Sequence, residues 1–148
     1  MNQAYHCVQI AFGTPEFDEA LRLRDEVLRK PLNMQFDPED IAKEYDSYHL
    51  ACYHNVTNEL AAFLILKPIG DKILKMRQVA VDPSLQSKGI GTFLIKESEK
   101  FGKRYGYDRI ELNARDTAVT FYKKAGYTIQ GEVFKEVGID HFFMFKDI

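Results

Sequence analysis

The chain has little cysteine, almost no net charge and no long apolar run, and each shortage closes off a class of protein. Only Cys7 and Cys52 occur among 148 residues, each inside an apolar, strand-like stretch. They read as small buried hydrophobes of a reducing compartment, and nothing demands a disulfide between them. The formal net charge is −2, which gives no electrostatic reason to invoke nucleic acid or an anionic membrane as a partner. Any basic patch has to be local, and Lys88 with Lys96 and Lys100 is the place to expect one. No apolar run approaches the length of a membrane span. No basic segment followed by a long apolar run stands at the N-terminus, so no signal peptide is expected and a cytoplasmic residence is. His6, His49, His54 and His141 show no metal-ligand spacing with Cys, Asp or Glu. No serine sits in a nucleophile elbow. Metal-dependent and covalent hydrolase chemistry are therefore not expected. Linkers, repeats and low-complexity segments are missing too, so residues 1–148 read as one domain. With 45% hydrophobic residues the domain is large enough for a single core.

What is present is an alternation of strand and helix patterns. Residues 5–12 read as a first strand. Thr14-Pro15-Glu16 starts a helix, since threonine caps, proline fits the first turn and glutamate favours the dipole. Phe17, Ala20, Leu21, Arg24 and Leu28 share one face of that helix, and Pro31 stops it. Asp37-Pro38-Glu39-Asp40 starts a shorter helix. Residues 48–53, 60–67 and 72–81 form a three-strand meander with turns at 55–59 and 68–71. A long helix over 89–105 follows, with Ile90, Phe93, Leu94, Glu97 or Ser98, and Phe101 along its inner stripe. Residues 109–114 form a fifth strand and 117–124 a short helix. Two last strands, 127–133 and 141–146, flank a turn at Gly138-Ile139-Asp140. Phe142, Phe143, Met144 and Phe145 make both faces of the last strand apolar, which places it inside the sheet. The order predicts a mixed α/β sheet with helices on both faces.

The most informative stretch is Gln86-Ser87-Lys88-Gly89-Ile90-Gly91. It lies between a strand, closed by Asp82-Pro83, and the long helix. The first N–H groups of a helix have no internal partner, and the dipole is positive there. Glycine lets backbone come close to a ligand, and Lys88 adds a full charge. A phosphate or pyrophosphate is the natural guest. A dinucleotide fingerprint would need glycine or alanine at Leu94, and no P-loop run exists. What remains is Gln-x-x-Gly-x-Gly after Val79-Ala80-Val81 and an Asp-Pro turn, which resembles the acetyl-coenzyme A loop of the GNAT N-acetyltransferase superfamily. Downstream, Ala118, Tyr122, Gly126 and Tyr127 fill the Ala-x-x-x-Tyr-x-x-x-Gly-Phe/Tyr pattern common in that superfamily. The segment from Phe134 to His141 is similar to the Phe-x-Glu-x-Gly-Ile-Pro-His segment of small, ElaA-like members, with Asp140 in place of proline.

The resemblance implies a GNAT fold: a mostly antiparallel sheet of about seven strands whose fourth and fifth strands splay at a bulge, with the pantetheine arm in the gap. It implies that Val79, Ala80 and Val81 offer backbone groups to the thioester and pantetheine while their side chains stay in the core. Gln86, Ser87, Lys88, Gly89, Gly91 and Thr92 would surround the pyrophosphate, although Lys88 also reads as an ordinary solvated lysine. Tyr122 would be the general acid that meets the leaving thiolate, or simply a packed aromatic. Asn113 would sit near the coenzyme arm, or be a plain strand-end polar residue. Arg115 departs from the asparagine that many relatives carry there. Histone-acetylating relatives have a glutamate where this chain has Lys75, so the base is open among Glu111, Glu136 and His141, each with a purely structural alternative. Asp37, Glu39 and Asp40 would draw a cationic amine, or only start a helix.

The implied activity is transfer of an acetyl group from acetyl-coenzyme A to a primary amine of a small molecule or peptide, by direct attack in a ternary complex. The alternatives are a different acyl group, a hydroxyl acceptor, or a non-catalytic acyl-coenzyme A-binding module. No metal, nucleic acid or membrane is implied, and a homodimer is compatible with the reading.

Overall fold

A computed structural model describes residues 4–35 and 37–148. Its elements are β1 (Tyr5–Ile10), α1 (Pro15–Arg24), α2 (Pro38–Ala42), β2 (Tyr48–His54), β3 (Leu60–Gly70), β4 (Ile73–Val81), α3 (Ile90–Arg104), β5 (Arg109–Arg115), α4 (Val119–Lys124), β6 (Thr128–Ile129), β7 (Phe134–Glu136) and β8 (Ile139–Asp147). The strands form one sheet in the order β1-β2-β3-β4-β5-β8-β6, with β7 also paired to β8. Among the described residues only the β4–β5 pairing is parallel. The apolar last strand lies inside the sheet, as its sequence requires.

Alternation along the strands divides the core between the two faces. Ile10, Ala51, Tyr53, Phe63, Ile65 and Ala80 pack with Ala20 and Leu23 of α1 on one face. Leu50, Cys52, Leu64, Leu74, Met76, Ile110, Leu112 and Met144 pack under α3 and α4 on the other. Thr14 caps α1 by accepting from the Phe17 N–H at 3.3 Å, and Asp37 caps α2 by accepting from the Glu39 N–H at 2.9 Å. Cys7 and Cys52 are direct cross-strand partners of β1 and β2, and both are free thiols.

The structure moves several boundaries. β1 ends at Ile10 rather than residue 12. Pro68 and Ile69 remain in β3, because a register shift between Pro68 and Gly70 gives the proline a place in the ladder; the turn falls at Asp71 and Lys72 instead. The strand expected over 127–133 shrinks to Thr128–Ile129, and β7 supplies an eighth strand. Val137 and Gly138 both have positive φ (48° and 74°), the signature of a two-residue hairpin turn, so Ile139 and Asp140 join β8. On α3 the buried stripe is Ile90, Leu94, Ile95, Ser98 and Gly102, with Phe93 and Phe101 at its margin. Gly102 sets this rotation: a Cβ there would lie 3.0 Å from Ile148 Cδ1 and 3.3 Å from Leu74 Cδ1.

After Arg24, α1 continues as one π-helical turn (Asp25–Arg29) and one 3-10 turn (Lys30–Leu32), ending at Asn33 in the left-handed region. Arg24 itself is wholly buried. It makes a two-pronged pair with Glu44, Nη1 to Oε1 and Nη2 to Oε2, both 2.8 Å. His49, 1% exposed, donates from Nε2 to the Glu44 carbonyl at 2.9 Å, with its ring edge-on to Phe17.

Burial pushes the His49 pKa down, against the pull of the Glu44 carbonyl and carboxylate. An unfolded imidazole titrates near ~6.5, so on acidification the unfolded chain takes up the proton first. The stability that neutral His49 contributes is complete above that value and is lost as pH falls from it through the lower folded value. Urea midpoints at pH 7.5 and 5.5 should therefore fall further apart in the native chain than in His49→Gln. Equal pH dependence in both would show that His49 contributes nothing to it.

Candidate active site

The strand-to-helix loop is built by local rules. Asp82 Oδ1 accepts from the Ser84 N–H at 2.9 Å and from the Ser84 hydroxyl at 2.8 Å, which turns the chain out of β4. Gln86 reaches back, its Nε2 donating to the Val81 carbonyl at 3.2 Å. Ser87 (φ 66°) and Gly89 (φ 83°) both lie in the left-handed region and wind the loop onto α3. No side chain caps α3, and no acidic residue stands in its first turn. Acidic side chains favour such a terminus, so this one is left electropositive. Residues 86–89 and Thr92 are exposed. Gly91 has a packing reason of its own: a Cβ there would sit 3.3 Å from Phe121 Cζ of α4. Lys96 and Lys100 are exposed, and Lys100 pairs with Glu97 at 3.3 Å.

Beside this loop the sheet comes apart. β4 and β5 pair only as Ile73↔Arg109, Leu74↔Ile110 and Lys75↔Glu111. Beyond that, β5 continues against β8, and β4 continues against β3. Between Phe63↔Ala80 and Ile65↔Arg77, β4 advances three residues to two on β3. This bulge contains Gln78, at φ 55°. A bulge increases local twist and takes backbone groups out of the ladder, so the upper halves of β4 and β5 diverge.

A cleft of about 970 Å³ occupies the divergence. Of the coenzyme and catalytic residues expected from sequence, Val79, Asn113 and Tyr122 line it; Ala80, Val81 and the 86–92 loop do not. Tyr122 is 7% exposed, and burial pushes its hydroxyl up to about 12. It is therefore a neutral phenol throughout the physiological range. Tyr127, 3% exposed, packs edge-on to Tyr122 and keeps its core role.

Two of the three candidate bases, Glu136 and His141, meet at the cleft with 3.5 Å between Oε2 and Nε2. His141 Nδ1 is 2.8 Å from the Ile139 carbonyl and so donates to it. Glu111 lies elsewhere, bound to Arg109 at 3.0 Å. Lys75, Asp37 and Asp40 line the cleft, and Glu39 does not. Arg29 and Arg77, which the sequence did not single out, also line it, together with Arg115, which stood out there only as a departure from the family's asparagine; the three come from separate segments. The signal available in the sequence was that Arg77 and Arg115 alternate with core residues on their strands. Among the described residues no three His, Cys, Asp or Glu side chains are placed to hold a metal ion. No helix among them is long and apolar enough to cross a membrane.

Residues 15–127 match the acetyltransferase (GNAT) family. The chain belongs to that family. Membership makes it an acyl-coenzyme A-dependent N-acetyltransferase. It is 32% identical over 146 residues to YjcF, an uncharacterized N-acetyltransferase of Bacillus subtilis (strain 168), covering 93% of this chain and 97% of the relative. Among solved structures, a GNAT acetyltransferase from Elizabethkingia anophelis with acetyl-coenzyme A bound superposes with a TM-score of 0.76 at 19% identity, over 99% of this chain and 100% of that one. Escherichia coli ElaA superposes with a TM-score of 0.79 at 20% identity, over 96% and 99%. Likeness of this order establishes the GNAT fold and does not single out the ElaA-like branch.

Proposed function

We propose that this acetyltransferase moves an acetyl group from acetyl-coenzyme A directly onto a primary amine, both substrates being bound together. The observation that carries the reading is the divergence of β4 from β5 beside an uncapped, acid-free helix start. One opening offers unpaired strand backbone for a pantetheine arm, and the loop at its end offers N–H groups for a pyrophosphate. Val79, Ala80 and Val81 supply the backbone; Gln86, Ser87, Lys88, Gly89, Gly91 and Thr92 form the phosphate cradle; Asn113 faces the arm from β5. Coenzyme-bound relatives such as the Elizabethkingia enzyme support the same choice of ligand.

In the reaction the amine lone pair attacks the thioester carbonyl carbon. The C–N bond forms, the C–S bond breaks, and its electron pair leaves on sulfur. A strand N–H near Val79 polarises the carbonyl. Tyr122 donates to the departing sulfur. A phenol at about 12 is a weaker acid than a free thiol, near ~8.5. Its contribution is therefore a hydrogen bond that strengthens as charge builds on sulfur. The amine arrives mostly protonated, since a free alkylamine titrates near ~10. Its proton leaves through water held at Asn113 and the Glu136–His141 pair.

Calorimetry with coenzyme A and a thiol-release assay across polyamines, amino sugars, amino acids and peptide amines test the reading. Saturable coenzyme binding and turnover on at least one amine are expected. Binding without turnover on any amine would make the protein an acyl-coenzyme A-binding module instead. At the loop, Lys88→Ala should weaken coenzyme binding about five- to tenfold, the loss shrinking at high salt. A salt-independent loss would reassign Lys88 to packing.

A further inference from the structure

The charges around the cleft are not evenly satisfied. Glu44 is taken by Arg24, Asp37 caps α2, and Glu136 stands against His141. On the basic side, the side chains of Arg77 and Arg115 make no hydrogen bond or ion pair among the described residues, though both are half-buried. Arg29 comes to the same space from the π-helical turn, its Nη2 donating to Gln78 Oε1 at 3.1 Å. That acceptor belongs to the bulge residue at φ 55°. Burial, and repulsion from Arg24, Arg115 and Arg77, push the Arg29 pKa down. Guanidinium groups are thus crowded together where water is partly excluded.

Such crowding is unfavourable by itself, and an oxyanion relieves it. Arg77 and Arg115 lie on the sheet face opposite α3, because Met76, Leu112 and Ala114 next to them face the α3 core. Along β4 the cleft reaches Val79 and stops short of the 86–92 loop, so these arginines are not part of the phosphate cradle.

We infer that the acceptor is an amine that also carries a carboxylate, which sits on Arg77 and Arg115 with Arg29 as a third donor. The inference rests on the acetyl-transfer reading and names its substrate class. A planar guanidinium fork matches a carboxylate in two-pronged fashion. The acidic side of the cleft, Asp37, Asp40 and Glu136, suits the ammonium end and disfavours a dianionic phosphate. The acceptor is therefore zwitterionic, with its amine directed toward the point where β4 and β5 part.

The test uses the whole chain, acetyl-coenzyme A and matched acceptors: amino acids and ω-aminocarboxylates, each beside its carboxamide, its decarboxylated amine and its aminophosphonate. The carboxylate should exceed the other three by at least about tenfold in kcat/KM. Arg77→Gln and Arg115→Gln should each erase most of that preference by raising KM for the acid. KM for the amide and the calorimetric Kd for coenzyme A should stay as they were. Arg77→Lys and Arg115→Lys should keep part of the preference, and they carry the test if a glutamine variant does not melt cooperatively. Amides or plain amines turned over as well as acids would overturn the inference and leave acetyl transfer standing. So would phosphonates outrunning carboxylates, or arginine variants that lose coenzyme affinity in place of acceptor affinity. No thiol release with any acceptor would remove the transfer reading and the inference with it.

Discussion

Tyr122→Phe is expected to lower turnover by about 10²–10⁴-fold while coenzyme affinity stays nearly constant. The ring remains, so the edge-on contacts with Phe121 and Tyr127 survive. Only the hydroxyl goes, and a hydroxyl in the proposed role would interact more strongly with a developing thiolate than with a thioester sulfur. An interaction made mainly in the transition state appears in kcat and leaves binding alone. The raised pKa of about 12 adds a second signature: no decline in rate from phenol ionisation should appear up to pH 10. The measurement is kcat against pH with the best acceptor, alongside calorimetric Kd for coenzyme A. Full activity in the phenylalanine variant would make Tyr122 a core aromatic and nothing more.

Breaking the Arg24–Glu44 pair should have the largest effect on stability. Glu44→Gln leaves a guanidinium that is 0% exposed facing a neutral amide. Loss of one partner from a buried pair costs about 3–5 kcal/mol. For a domain of this size that lowers Tm by about 6–20 °C, at ~2–4 °C per kcal/mol. Replacing both partners with apolar groups, Arg24→Met with Glu44→Leu, should recover much of the loss, because no charge is then stranded. Thermal melts of Arg24→Met, Glu44→Leu and the double variant measure the coupling directly. A single-variant loss under about 1 kcal/mol, the range of exposed pairs, would show that the pair carries little.

The sequence carried the fold well wherever local chemistry decides it. Thr14 and Asp37 cap the helices they were read to cap. The apolar run at 142–145 sits inside the sheet, and the loop at 86–91 joins β4 to α3. Tertiary contacts decide the rest. The strand at 127–133 is mostly irregular because β8 is shared between β6 and β7, and Pro68 is tolerated because a register shift surrounds it. The candidate site was legible in part, and for the same reason. Asn113 and Tyr122 belong to a short contiguous pattern. Arg29, Arg77 and Arg115 lie 48 and 38 residues apart in the chain and meet only through the bulge at Gln78 and the path of β5. Arg24 was read as one position on a helical stripe, and its partner Glu44, 20 residues away, lies in a segment that has no periodicity of its own.

The three-pair junction of β4 and β5 also has a mechanical consequence. The sheet is two plates, β1–β4 and β5–β8, joined along one short weld at residues 73–75 and 109–111, with α3 lying across both. A weld at one end makes a pivot, and the softest motion of such a body changes the angle at the open end. Arg77 and Val79 ride on one plate; Asn113, Arg115, Tyr122 and His141 ride on the other. An acceptor bound by Arg77 and Arg115 would span the opening, and so would a coenzyme arm laid between Val79 and Asn113. Whichever arrived first would stiffen the pivot and bear the ordering cost, so the second would meet plates already held in place. Cooperation between two substrates that both bridge the opening is the expected consequence of how little of the sheet is joined.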